Sequence, residues 1–223
     1  MPESCTLTLP DGRSVGFMDY GPATGAPVIG CHGGPGSRME PAAMAAPAAA
    51  AGFRLVGIDR PGYGHSTPKP GRSIADWVPD GLAVADALGI DRFTAVGCST
   101  GGAYALALAA RAPERVRAVI ACCALTDMRW REGKAMMTAP ATARLWSAAD
   151  REAAMAIDAV AVRCPVVVLH GESDNIVPAA HARHTAEIVP GAKLRIVPEL
   201  GHFSIVGAVL TTLQALAKTG TTR

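Results

Sequence analysis

Little in this sequence points toward nucleic acid, a membrane or a metal. Charged residues make up 18% of the chain and are nearly balanced, 21 Lys and Arg against 19 Asp and Glu. No block of like charge stands out. A nucleic-acid-binding domain usually carries a clustered basic face, so no nucleic-acid partner is expected. No apolar run reaches the roughly 18 residues that cross a bilayer, and the Ala-rich stretch 42–51 is broken by Pro47. No membrane insertion is expected. The start, Met1-Pro2-Glu3-Ser4-Cys5, has neither a basic n-region nor an apolar h-region, which favours a cytoplasmic location. The six cysteines contain no C-x-x-C pair, against zinc-ribbon and thioredoxin readings. They read as small buried hydrophobes in a reducing compartment, with the adjacent Cys122 and Cys123 on opposite faces of a strand. His181 and His184 are spaced i, i+3 but have no third ligand nearby, so a solvated helix surface is expected rather than a metal site.

What is present is enough apolar material for one sizeable core. The chain has 223 residues, 49% of them hydrophobic, which excludes intrinsic disorder and fits a single domain. An N-terminal hairpin, Thr6–Leu9 and Val15–Tyr20, precedes an alternation of strands and helices. Strands are expected at Val28–Cys31, Arg54–Asp59, Phe93–Val96, Val116–Leu125, Pro165–His170 and Lys193–Val197. Helices are expected over Glu40–Ala51, Ile74–Leu88, Ala103–Ala110, Ala179–Ile188 and Phe203–Ala217. The pattern predicts an α/β fold, a mostly parallel sheet with helices on both faces. Ligands then bind outside the carboxyl ends of the strands. Only residues 126–163 break the alternation. They hold Met128, Trp130, Met136, Met137 and Trp146, and a helix start at 147–150.

The residues after the strands carry the chemistry. Gly97-Cys98-Ser99-Thr100-Gly101 is a G-x-S-x-G between a strand and a helix, where a strained turn projects the serine above the sheet. A serine needs a base. In this arrangement the acid and histidine follow in that order, and Asp174 and His202 each sit in a loop after a later strand. Glu172 and Asp127 are the rival acids. The backbone N–H of Thr100 and that of Gly34 are the candidate oxyanion donors, with Gly33 as fallback, because His32-Gly33-Gly34-Pro35-Gly36 lets amides approach a ligand closely. His32 is expected to brace this loop. Neither G-x-x-x-x-G-K nor G-x-G-x-x-G occurs, so no phosphate-bearing cofactor is expected.

With these motifs, and Asp59-Arg60-Pro61-Gly62-Tyr63-Gly64-His65-Ser66, the chain resembles the α/β-hydrolase superfamily. The H-G-G-P-G form resembles its branch of proline iminopeptidases and bacterial serine esterases. The resemblance implies an eight-stranded, mostly parallel sheet, a Ser99–His202–Asp174 triad, and no cofactor or metal. Residues 1–125 and 164–223 would form the core and 126–163 a reduced cap, shorter than the helical cap typical of the family. An iminopeptidase draws on acidic cap groups to bind a free amino terminus, and this insert offers few carboxylates. The expected activity is therefore hydrolysis of a small-molecule carboxylic ester. A proline iminopeptidase-like aminopeptidase or a C–C bond hydrolase is the alternative, with a non-catalytic ligand-binding protein as a remote third. Apolar residues left uncovered on a short insert would favour a homodimer.

Overall fold

The computed structural model describes residues 4–137 and 154–220. Eight strands form one sheet: β1 (Ser4–Thr8), β2 (Ser14–Asp19), β3 (Ala26–Cys31), β4 (Phe53–Ile58), β5 (Phe93–Cys98), β6 (Val116–Cys122), β7 (Val166–Gly171) and β8 (Lys193–Val197). Their spatial order is β1-β2-β4-β3-β5-β6-β7-β8. The β1–β2 and β2–β4 pairs are antiparallel and the others parallel. The mostly parallel sheet is what the alternation predicts, and its eight strands are what the family resemblance implies.

The helices are α1 (Ala42–Ala50), α2 (Val78–Ala87), α3 (Thr100–Arg111), α4 (Arg131–Ala135), α5 (Ala179–Ile188) and α6 (Gly207–Lys218). Strands buried on both faces read as continuous apolar runs, and β4 is buried at all six of its positions. Two hydrophobic clusters result. The larger packs α2, α3 and α5 on one face, and the smaller packs α1 and α6 on the other. The expected helix 74–88 begins as a 3-10 turn, Ala75–Trp77, before α2. It ends at a glycine: Gly89, at φ +67°, lets the Ile90 N–H reach the Ala85 carbonyl at 2.8 Å and the Gly89 N–H that of Asp86 at 3.0 Å. These two bonds are the paired closure of a helix carboxyl end.

One strand is shorter than the sequence suggests. The apolar run 116–125 predicts a strand to Leu125, but β6 stops at Cys122 because Cys123 turns to φ +42°. Cys122 and Cys123 therefore do not face opposite sides, and both join the smaller cluster. The insert is described over 126–137 and 154–163, with the short α4 and a 3-10 turn, Ala159–Ala161. The helix start expected at 147–150, and Trp146, lie outside the described residues.

The tightest packing lies where β5 passes into α3. A β-carbon on Gly97 would sit 2.1 Å from the Gly101 carbonyl oxygen, and one on Gly101 would sit 1.9 Å from that of Cys31. Backbone atoms cannot yield as a side-chain tip can. Gly101→Ala is therefore expected to destabilise the protein by about 1–3 kcal/mol or more, read as a lower urea midpoint at unchanged slope.

Candidate active site

Ser99 is the residue between β5 and α3, at φ 54° and ψ −124°. A non-glycine residue seldom holds such a backbone, and such strain clusters at functional sites. The turn is fixed from three sides. The Ser99 N–H donates to the Cys122 carbonyl at 2.9 Å, and the Ser99 carbonyl accepts from Gly102 at 3.1 Å and Leu125 at 3.3 Å. The side chain is half-buried at the amino end of the twelve-residue α3, where free backbone N–H groups and the helix dipole favour negative charge.

Asp174 and His202 come together from the ends of β7 and β8. The Ser173 N–H donates to the Leu200 carbonyl at 2.9 Å, tying the loop after β7 to the loop that carries His202. His202 Nδ1 donates to Asp174 Oδ2 at 2.7 Å, and the Asp174 side chain is fully buried. Asp174 Oδ1 accepts from the N–H groups of Ile176 at 2.9 Å and Val177 at 2.8 Å. Burial opposes ionisation of this carboxyl, but hydrogen bonds from His170, His202 and those two amides hold it well below the usual carboxylate range. For His202 burial again opposes the charge. The Asp174 carboxylate, and then the Cys123 sulfur, more than offset it and raise the imidazole to about 10.

The loop after β3 faces the same corner. A β-carbon on Gly33 would lie 3.4 Å from the Ser99 Cβ, and one on Gly34 would lie 3.4 Å from Thr100 Oγ1. Gly33 N–H donates to Glu40 Oε2 at 2.8 Å. His32 braces the loop as expected. Its Nδ1 donates to the Gly33 carbonyl at 2.7 Å, and its Nε2 accepts the Arg60 N–H at 3.1 Å. Burial, then the Arg60 charge, pushes His32 down to about 4, so it stays neutral. Arg60 also donates to the Gly33 carbonyl at 2.7 Å and lies 4.7 Å from the ring centres of both Tyr63 and Tyr104.

Residues 26–155 match the family model described as alpha/beta hydrolase fold. The chain belongs to that family. Among curated relatives, it is 28% identical to the 2-hydroxymuconate semialdehyde hydrolase of Pseudomonas putida, over 91% of this chain and 89% of that protein. It is 33% identical to the bifunctional esterase/perhydrolase of Acinetobacter calcoaceticus, over 48% of this chain and 39% of that protein. Among solved structures, a thermophilic esterase from Thermogutta terrifontis superposes with a TM-score of 0.72 at 22% identity, each chain covered completely. This hydrolase thus shares its fold with enzymes named for different bonds.

The rival acids stand elsewhere. Asp127 pairs with Arg129 and accepts the Ile157 N–H at 3.1 Å, tying down the insert, and Glu172 is exposed. His181 and His184 are not a solvated surface. His181 is fully buried and bonded to the Gly133 carbonyl at 3.0 Å, and His184 stacks on Trp130 at 4.2 Å and meets Thr126 Oγ1 at 2.8 Å. They clamp α5 to the insert. Met128 and Met137 are buried in the larger cluster. Trp130 borders a cavity of about 670 Å³ that also touches Arg111, Asp127 and His184, and neither Ser99 nor His202 lines it.

Two residues of the site escaped the sequence reading. His170 Nε2 lies 2.8 Å from the Val177 carbonyl and 3.3 Å from Asp174 Oδ2. Cys123 Sγ lies within 4.8 Å of both a His202 ring nitrogen and an Asp174 carboxylate oxygen. Among the described residues, these three are the set of donor side chains close enough to meet a metal ion. Asp174 and His202 are already bonded directly, so the set holds a proton. No hydrogen bond joins Ser99 Oγ to His202 among the described residues. Replacing Asp174 by Asn removes the main support of the His202 charge. The ring titration, followed by its NMR proton shifts, is expected to fall from about 10 toward the ordinary 6.5. A midpoint left near 10 would show that another group sets it.

Proposed function

We propose that the protein is a serine hydrolase of small carboxylic esters. The observation that carries the reading is the short Asp174–His202 bond beside a strained serine at a helix amino terminus. His202 takes the Ser99 proton as Oγ attacks the ester carbonyl. Asp174 holds the ring's tautomer and stabilises the imidazolium. The N–H groups of Thr100 and Gly34 bind the oxyanion. The alcohol leaves with the proton from His202, and water then cleaves the acyl-enzyme. Catalytic hydrogen bonds are often long without substrate and tighten in the complex. The reading therefore requires Ser99 Oγ and the His202 ring to close on one another when a carbonyl fills the corner.

The domain reading belongs to this proposal: residues 1–125 and 164–223 as core, 126–163 as a reduced cap. A short cap has few residues with which to shape the site, which favours broad ester selectivity. Phe203, 79% exposed and edge-on to the His202 ring at 5.3 Å, is proposed as an apolar contact for the acyl or alcohol group. The 28%-identical Pseudomonas relative favours one second reading, hydrolysis of a C–C bond by the same residues.

A fluorophosphonate is expected to label Ser99 in the folded protein, and short-chain p-nitrophenyl esters to be hydrolysed. Ser99→Ala should abolish both, and His202→Ala should lower turnover by about 10⁴-fold or more. Folded protein that leaves the fluorophosphonate unreacted would overturn the serine mechanism. Turnover of 2-hydroxymuconate semialdehyde at a kcat/KM well above that for the esters would replace ester by C–C cleavage.

A further inference from the structure

The corner that holds His202 contains a second nucleophile. β5 and β6 run parallel with Cys98 opposite Cys122, so the next residue on each chain, Ser99 and Cys123, stand side by side beyond the sheet. Both take positive φ, 54° and 42°. The turn at Ser99 belongs to the nucleophile elbow, but the turn at Cys123 ends a strand whose apolar run would otherwise continue. It brings the sulfur back against His202 and Asp174, within 4.8 Å of both. Cysteine, histidine and carboxylate are thus assembled as a nucleophile, base and acid set that shares two members with the proposed serine triad.

We infer that Cys123 is a covalent modification site for small α,β-unsaturated carbonyl compounds, and that its modification stops hydrolysis at Ser99. Cys123 is only 1% exposed, so the inference requires a small reagent that enters past the half-buried Ser99. In the addition, the sulfur lone pair forms a bond to the β-carbon. The C=C π pair moves to the α-carbon, which takes the proton held on His202, and nothing leaves. The adduct then fills the space against His202 and Ser99 that an ester carbonyl needs.

The electrostatics support the geometry. The Cys122 hydrogen bond lowers the Cys123 thiol, burial opposes it, and the His202 imidazolium and Ser99 N–H lower it further, to about 5. Cys122 itself is pushed well above the ordinary thiol value, by its hydrogen bonds to Cys123 and Cys98 and by burial. Cys164 is raised to about 11 by burial. Near pH 6 Cys123 is then the thiolate among these three. The charged groups facing this sulfur are His202, Asp174 behind it, and, through Cys98, Glu40.

The inference rests on the His202–Asp174 pair of the proposed hydrolase but not on Ser99. Its probe is acrylamide, applied to the intact protein across pH 4 to 9, with each cysteine peptide quantified by mass spectrometry and ester turnover followed in parallel. At pH 6 Cys123 is expected to be alkylated at least about tenfold faster than Cys98 or Cys164, with turnover falling in step. Its rate should drop only below about pH 5. Ser99→Ala should be alkylated at Cys123 as readily as the wild type, and the turnover left in Cys123→Ala should resist acrylamide. A Cys123 that stays unmodified, or that reacts only as pH approaches 9 like an ordinary thiol, would overturn the inference whatever the variants do. Fluorophosphonate labelling of Ser99 reports separately on the hydrolase: acrylamide on Cys123 without it sinks the serine mechanism and leaves this inference standing.

Discussion

Four N–H groups converge on one buried carboxylate, and the rest of the site hangs from them. Asp174 Oδ1 takes the amides of Ile176 and Val177, and Oδ2 takes His202 and the longer contact from His170. A carboxylate with a fully buried side chain is costly unless paired and hydrogen-bonded. Here the donors come from three places, β7 itself, the turn after it and the loop after β8. Satisfying the charge therefore fixes where those segments meet. The turn that supplies two amides leads directly into α5, whose His181 and His184 clamp the insert. The same carboxylate that orients His202 thus stands at the root of the segment that borders the insert.

The legible parts of this molecule are those where backbone geometry leaves one residue type. Gly97 and Gly101 could be read because no side chain fits between β5 and α3, and Gly89 because a helix end needs a left-handed residue there. Asp174 and His202 could be expected to meet because each follows a β-rich apolar run, and they do meet. The illegible parts depend on contacts between distant segments. His181 and His184 look like a solvated pair on a polar helix, and only Thr126, Trp130 and Gly133 make them a clamp. The run 116–125 has nothing in its composition to mark the turn at Cys123. That turn is imposed from outside: the Ser99 carbonyl takes the Leu125 N–H, and Ala124 packs against Gly102 at the start of α3. His170 reads as the last residue of a buried strand, and its role appears only when the chain folds back at Val177.

Two nucleophiles beside one base impose a rule of proton accounting. His202 can receive one proton at the nitrogen left free by Asp174. With Cys123 as the thiolate the imidazole is charged, and it has no capacity for the Ser99 proton. The proposed hydrolysis requires the form in which the sulfur keeps its proton and His202 is neutral. The two forms differ only in which atom holds a hydrogen, and an ester carbonyl reacts with Ser99 only through the neutral ring. A soft electrophile favours the other form. Selection between the two reactions then lies in the arriving molecule rather than in a moving part of the fold. The thiol tunes the base even when nothing modifies it, since its charge contributes to holding the His202 proton to about pH 10.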